Sequence, residues 1–189
     1  MQKPLEMLLD AEAPEPHRIE AARALARARD LGALDGLFGA IEATDTLVSR
    51  AVVEALRAMG AHEVLGARLG DADPAVRADA ARKLSKLKDE RAIDPLSGAV
   101  HDPELGVRRA AVRALSYLRG ERVAEALVSA LRDQDPETRA HAAAGLARSG
   151  DPRAAGALVA ARERESHDVV KDFIDAALRK VPAAKAGAK

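Results

Sequence analysis

Arginine stands at positions 77, 108 and 139, in steps of 31 residues, and three other columns keep that step: Leu84, Leu115 and Leu146; Leu96, Leu127 and Leu158; Arg91, Arg122 and Arg153. Four columns in one register mark an internal repeat. A period of roughly 20–50 residues signals units that cannot bury their apolar faces alone and must stack on one another. The pattern runs outward both ways. Arg18 to Leu25 keeps the spacing of Arg77 to Leu84, at an offset that makes one repeat three residues shorter, with Ser49 to Leu56 as its member. Val170 to Ala177 takes the sixth place. The reading is six repeats, at about 3–32, 33–60, 61–89, 90–120, 121–151 and 152–181, in a single domain over residues 1–182. Val181-Pro182 breaks the pattern, and 183–189 is expected to be a flexible tail.

Each repeat predicts two helices. In the fourth, Ile93, Leu96 and Val100 mark a short first helix. Asp102-Pro103 then reads as the start of the second: an aspartate caps free N–H groups, and proline in the first turn lacks the N–H that would be orphaned. Val107, Ala111, Leu115 and Leu118 fall on one stripe, and Gly120 closes the helix. Apolar residues make up 48% of the chain and aromatic residues only 2%, so alanine and leucine must build the core. Small side chains let helices approach closely. The expected fold is therefore an all-α solenoid. In the column of Ala80, Ala111 and Ala142 the sixth repeat carries Phe173, followed by Ile174. Large residues are expected to fill the space where no further pair stacks, making that repeat a C-terminal cap. His17 takes the column of Val76 and Val107 and is expected to be half buried.

The stretch D-P-x-V-R-x-x-A-A-x-x-L-x-x-L at 73–87 and D-E-R-A-I-D-P-L at 89–96 resemble the HEAT-like repeats of the phycobilin lyase family. The resemblance is strongest over 61–158 and implies six HEAT-like helix pairs. An arginine one turn into a helix can pair with a loop aspartate of its own or the adjacent repeat, and the resemblance implies that role for Arg77, Arg108 and Arg139. Such repeats serve lyases, hydroxylases, scaffolds and engineered binders alike, so the likeness specifies a fold rather than an activity.

Little in the chain points to catalysis. There is no cysteine, which removes disulfides, thiolate metal sites and cysteine nucleophiles together. His62-Glu63 resembles one His-Glu pair of the HEAT-repeat di-iron hydroxylases that modify a lysine derivative, but those enzymes need several pairs and this chain has one. Gly32, Gly36 and Gly39 do not follow G-x-G-x-x-G and precede no strand, and no serine sits in a nucleophile elbow. No catalytic centre, metal or cofactor is expected. Met1 to Glu6 lacks a long apolar segment and no apolar run reaches membrane-spanning length, so the expected location is cytoplasmic, without a membrane partner. The alanine- and arginine-rich composition suggests a GC-rich bacterial genome.

The exposed face of the second helices carries the candidate binding residues. Positions i+4, i+7 and i+11 select Arg23 and Arg27 in the first repeat, then Asp79, Arg82 and Lys86, then Arg113 and Tyr117, then His141 and Arg148, and Arg179 in the last. If this face is concave, as in related solenoids, it forms a groove with arginine and lysine along one edge, acids at the C-terminal end, and the sole tyrosine near the middle. Tyrosine and arginine are over-represented among binding hot spots. The expected function is a non-catalytic scaffold or adaptor, monomeric or weakly oligomeric, that holds a protein or peptide partner. Two alternatives stand beside it. A bilin-handling enzyme or chaperone would place tetrapyrrole propionates on the arginine edge, although no aromatic wall awaits the rings. Nucleic acid could follow the same edge, against which a formal net charge of zero and the acidic end both argue.

Overall fold

The computed structural model describes residues 3–43 and 46–181, and the expected tail at 183–189 lies outside them. The described residues form twelve α-helices and three short 3-10 turns joined by loops, with no strand among them. The helices are α1 (Pro4–Leu9), α2 (Glu15–Ala28), α3 (Leu34–Ala43), α4 (Thr46–Ala58), α5 (Ala61–Arg68), α6 (Pro74–Leu87), α7 (Ile93–Ala99), α8 (Leu105–Leu115), α9 (Glu121–Ala130), α10 (Pro136–Ser149), α11 (Ala155–Arg164) and α12 (Asp168–Lys180). The chain divides into two compact units, Met1–Val64 and Leu65–Lys189.

In the first unit α1 packs on α2, and α4 packs on both α2 and α3. Leu8, Leu25, Leu37, Phe38 and Leu56 fill its core. Arg18 is buried, and its Nε donates 3.1 Å to the Leu8 carbonyl. That inward turn corrects the expectation for His17, which is exposed. Neighbouring helical residues point about 100° apart, so a stripe that takes Arg18 inward carries His17 outward.

In the second unit the even-numbered helices pack side by side, α6 on α8, α8 on α10 and α10 on α12, with the shorter α7, α9 and α11 against α8, α10 and α12. Ala80, Ala111 and Ala142 are each 0% exposed, where only a small side chain lets the next helix come close. Aspartates start the segments. Asp73 caps α6 by accepting from the Ala75 N–H at 2.8 Å, and Asp135 caps α10 by accepting from the Thr138 N–H at 2.8 Å, each followed by a proline. Asp89 and Asp151 do the same for the 3-10 turns before α7 and α11. The fourth repeat differs from expectation. Helix α8 begins at Leu105 with Glu104 as its N-cap, and the longer glutamate makes no capping bond. Asp102 instead accepts from the Glu104 N–H two residues on, at 2.9 Å, outside the helix.

Asp102 is held there by a second duty. Arg77 Nε and Nη2 donate to its carboxylate at 2.7 and 2.9 Å, while Nη1 donates to the carbonyls of Asp71 and Ala72 in the loop before α6. Arg108 repeats the arrangement with Asp133 and the carbonyls of Asp102 and Pro103. Arg139 repeats it with Glu165, at 2.6 and 2.8 Å, and the carbonyls of Asp133 and Gln134. One guanidinium thus ties its own loop to the next repeat's loop, with nearly every donor satisfied in a fork geometry. The pairs are mostly shielded from water, Arg139 being 17% and Glu165 4% exposed. Hydrogen bonding from Arg139 holds the Glu165 carboxyl down to about 2, and Arg77 lowers that of Asp102 in the same way.

The last repeat corrects the cap reading. Val170 and Ile174 are buried, but Phe173 stays 43% exposed and Val169 beside it is also exposed. The column that receives a following helix in the third, fourth and fifth repeats receives none here among the described residues, so a large side chain in it meets water.

Candidate functional site

Helix α8 stops three residues short of its neighbours. Helices α6 and α10 run on to Leu87 and Ser149, both equivalent to Leu118 one repeat away, whereas α8 ends at Leu115. Ser116 turns the chain there: its N–H still donates to the Val112 carbonyl, and its hydroxyl donates to the Arg113 carbonyl at 2.7 Å. Gly145 makes this possible on the α10 side. A Cβ at that position would meet the Ser116 Cβ at 2.9 Å, the Ser116 Cα at 3.0 Å and Leu127 Cδ1 at 2.7 Å, so only glycine admits the Ser116 backbone.

The early end frees the Ser116 carbonyl, and Arg148 Nε of α10 donates to it at 2.7 Å. The same contact lays the Arg148 guanidinium 5.0 Å from the centre of the Tyr117 ring. Lys88, at the end of α6, brings its Nζ to 5.2 Å from that ring. Lys88 is the C-cap of α6 and holds a left-handed conformation, φ 47°. One tyrosine, 46% exposed, thus carries cations from the repeats on either side of its own.

The other predicted residues fall out differently. Arg82 is exposed and lies 3.6 Å from Asp79, which also accepts from Lys83 at 2.8 Å. Lys86 is half-buried. Arg113 is exposed one turn before Tyr117, and its guanidinium has no hydrogen-bond or ion-pair partner among the described residues. His141 faces Glu137 with Nε2 3.7 Å from Oε1. Arg179 is exposed at the end of α12. Arg23 and Arg27 belong to the first unit, where both flank Glu20 of their own helix, Arg27 at 2.6 Å. The structure therefore joins Tyr117 to Arg148 and leaves the rest in local pairs or open to solvent. Lys88, Ser116 and Gly145 were not legible as site residues. The only hint was a glycine in mid-helix, where the equivalent position one repeat earlier is Ala114.

Elsewhere, an open cleft of about 900 Å³ lies on the loop edge between α7 and α10, lined by Val100, His101, Arg108, Arg132 and Asp133 among others. It contains the Arg108–Asp133 pair that ties one repeat's loop to the next. Among the described residues no three His, Asp or Glu side chains converge as a metal site would require, and no helix is long and apolar enough to cross a membrane.

A family model for HEAT repeats matches the chain at residues 2–67, 60–116 and 98–179. No curated protein sequence matches it. Among solved structures, an engineered protein is 22% identical over 99% of this chain and 100% of its own, with a TM-score of 0.57. A designed armadillo repeat protein in complex with the peptide (KR)4 is 20% identical over 96% of this chain and 100% of its own, at 0.56. Human deoxyhypusine hydroxylase in complex with glycerol is 21% identical over 94% of this chain and 72% of its own, at 0.55. At these identities the likeness is one of fold, the α-solenoid.

Proposed function

Because the chain belongs to the HEAT-repeat family, we propose that it is a non-catalytic scaffold that holds a protein or peptide partner on the exposed face of α6, α8, α10 and α12 in its second unit, centred on Tyr117. The observation that carries this reading is the half-exposed tyrosine with Arg148 and Lys88 laid against its ring and Arg113 unpaired beside it. Aromatic and arginine side chains held in place before binding lose little rotamer freedom on contact, so more of the interaction energy appears as affinity. Arg148 is fixed through the Ser116 carbonyl, and Ser116 in turn through Gly145. The armadillo-like neighbour in complex with a peptide supports a peptide as one form of partner.

The test is selection of a displayed random peptide library on the purified protein, repeated on an Arg113→Glu/Tyr117→Ala variant whose helix content is checked by circular dichroism. Enrichment of peptides that bind the parent and lose binding to the variant is the expected result. Enrichment of the same peptides by both proteins would move the binding surface elsewhere, and enrichment by neither would end the scaffold reading for peptides.

A further inference from the structure

We infer that a cleft between the loops after α9 and α11 binds a terminal, doubly charged phosphate group, clamped by Arg132 and Arg164. Tyr117 does not line it, and the inference stands apart from the scaffold reading. The cleft, of about 560 Å³, is the counterpart one repeat later of the open cleft described above, and Arg132 lines both. Leu131 and Ala161 supply its apolar lining, and Asp133, Arg139, Glu165 and Ser166 the rest of its polar lining.

Charge decides what this cleft can hold. Arg132 follows the C-cap of α9, and Arg164 is the last residue of α11. Both are exposed, and neither guanidinium has a hydrogen-bond or ion-pair partner among the described residues. Exposure alone does not explain that. Arg122 and Arg153 are exposed too, yet they reach Asp94 at 3.2 Å and Asp151 at 2.7 Å. The helix dipole favours a cation at a helix C-terminus, which accounts for each arginine singly but not for two sharing a cleft. The carboxylates in the lining are already occupied. Asp133 accepts from Arg108 Nε at 2.7 Å and from the Asp135 N–H at 2.8 Å. Glu165 accepts from Arg139 at 2.6 and 2.8 Å and from the N–H groups of Ser166 and His167. Each of these pairs is balanced in charge, so Arg132 and Arg164 leave the cleft with two uncompensated positive charges. The first cleft lacks that surplus. His101 stands there 31 residues before Arg132, and Glu104, which makes no ion pair among the described residues, offsets Arg132.

Two surplus charges select a dianion. A phosphate monoester carries about −1.5 to −2 near pH 7 and three acceptor oxygens, enough for a guanidinium from each side. A carboxylate or a phosphodiester brings one charge only. Ser166, whose hydroxyl has no partner among the described residues, can add a further donor. Inorganic phosphate and a phosphorylated side chain of another protein both present this chemistry.

The experiment is NMR of the arginine Nε–H signals of the ¹⁵N-labelled full chain, at fixed ionic strength and about pH 7.5, where the phosphate is doubly charged. The chain is titrated with inorganic phosphate, with a short peptide bearing one phosphoserine among alanines, and with dimethyl phosphate as the singly charged comparator. Saturable shifts of Arg132 and Arg164 are expected, with a dianion binding at least about fivefold tighter than dimethyl phosphate. Arg132→Gln or Arg164→Gln should weaken binding about fivefold or more, whereas Arg122→Gln, which removes a cation outside the cleft, should change it less than about twofold. Whichever dianion binds tighter identifies the source, a phosphorylated protein or a small ligand. No saturable shift with either dianion, equal binding of dimethyl phosphate, or an equal loss with Arg122→Gln would overturn the inference.

Discussion

Replacing Gly145 with alanine sets two physical effects against each other. In the interior of a helix the change ordinarily stabilises, by about 0.5–1 kcal/mol, because alanine has less backbone freedom to lose on folding. Here the new methyl would sit 2.7 Å from Leu127 Cδ1, 2.9 Å from the Ser116 Cβ and 3.0 Å from the Ser116 Cα. Leucine can rotate, but the Ser116 Cα is backbone, so α8 and α10 must part by several tenths of an ångström. Overpacking of this kind costs about 1–3 kcal/mol, leaving a net loss of about 0–2.5 kcal/mol once the helix gain is set against it. The shift also carries the Ser116 carbonyl away from Arg148 and loosens the guanidinium from the Tyr117 ring. Gly39 is the matched control. It too lies inside a helix, and a Cβ there would meet nothing within 4 Å. Urea unfolding followed by circular dichroism should give a lowered midpoint for Gly145→Ala and a raised one for Gly39→Ala. Tyr117 is the only tyrosine and there is no tryptophan, so tyrosine fluorescence reports the second unit alone. A Gly145→Ala midpoint raised as much as that of Gly39→Ala would refute the close approach of α8 to α10.

Ala111→Leu should cost about 1–3 kcal/mol, read from the same unfolding curves, because residue 111 is fully buried between helices; an unchanged midpoint would refute the register of α8. Arg139→Leu should cost about 3 kcal/mol, since Glu165 would keep a largely shielded charge without its partner; the double change Arg139→Leu/Glu165→Leu should recover part of that loss. Acid should act through the same pairs. Arg139 holds the Glu165 carboxyl down to about 2 in the fold, below its ordinary value of 4.5, so its stabilisation is complete above 4.5 and fades as pH falls toward 2. Thermal unfolding of the parent should therefore weaken across that window, and less steeply in Glu165→Gln; identical slopes would count against the Arg139–Glu165 tie.

The arginine and leucine columns at a constant step were enough to establish stacked helix pairs, the fully buried alanines, and a structural role for Arg77, Arg108 and Arg139. Repetition makes this legible. Each repeat places the same residue in the same environment, so a column reports a local demand, such as a small side chain at a helix contact, several times over. The sequence also placed Tyr117 and Arg148 in one column with Lys86, on adjacent helices. What it could not show was how far each helix runs and where backbones touch. The end of α8 at Leu115 exposes the Ser116 carbonyl, Gly145 admits that backbone, and only then does Arg148 settle on the ring with Lys88 reaching it from α6. Phe173 and His17 fall in columns whose other members pack inward, yet both are exposed: one lacks a following helix among the described residues, and the other yields the inward position to Arg18. Periodicity encodes what each repeat needs from its neighbours. Whether a neighbour is present, and at what distance its backbone stands, is decided by packing in three dimensions.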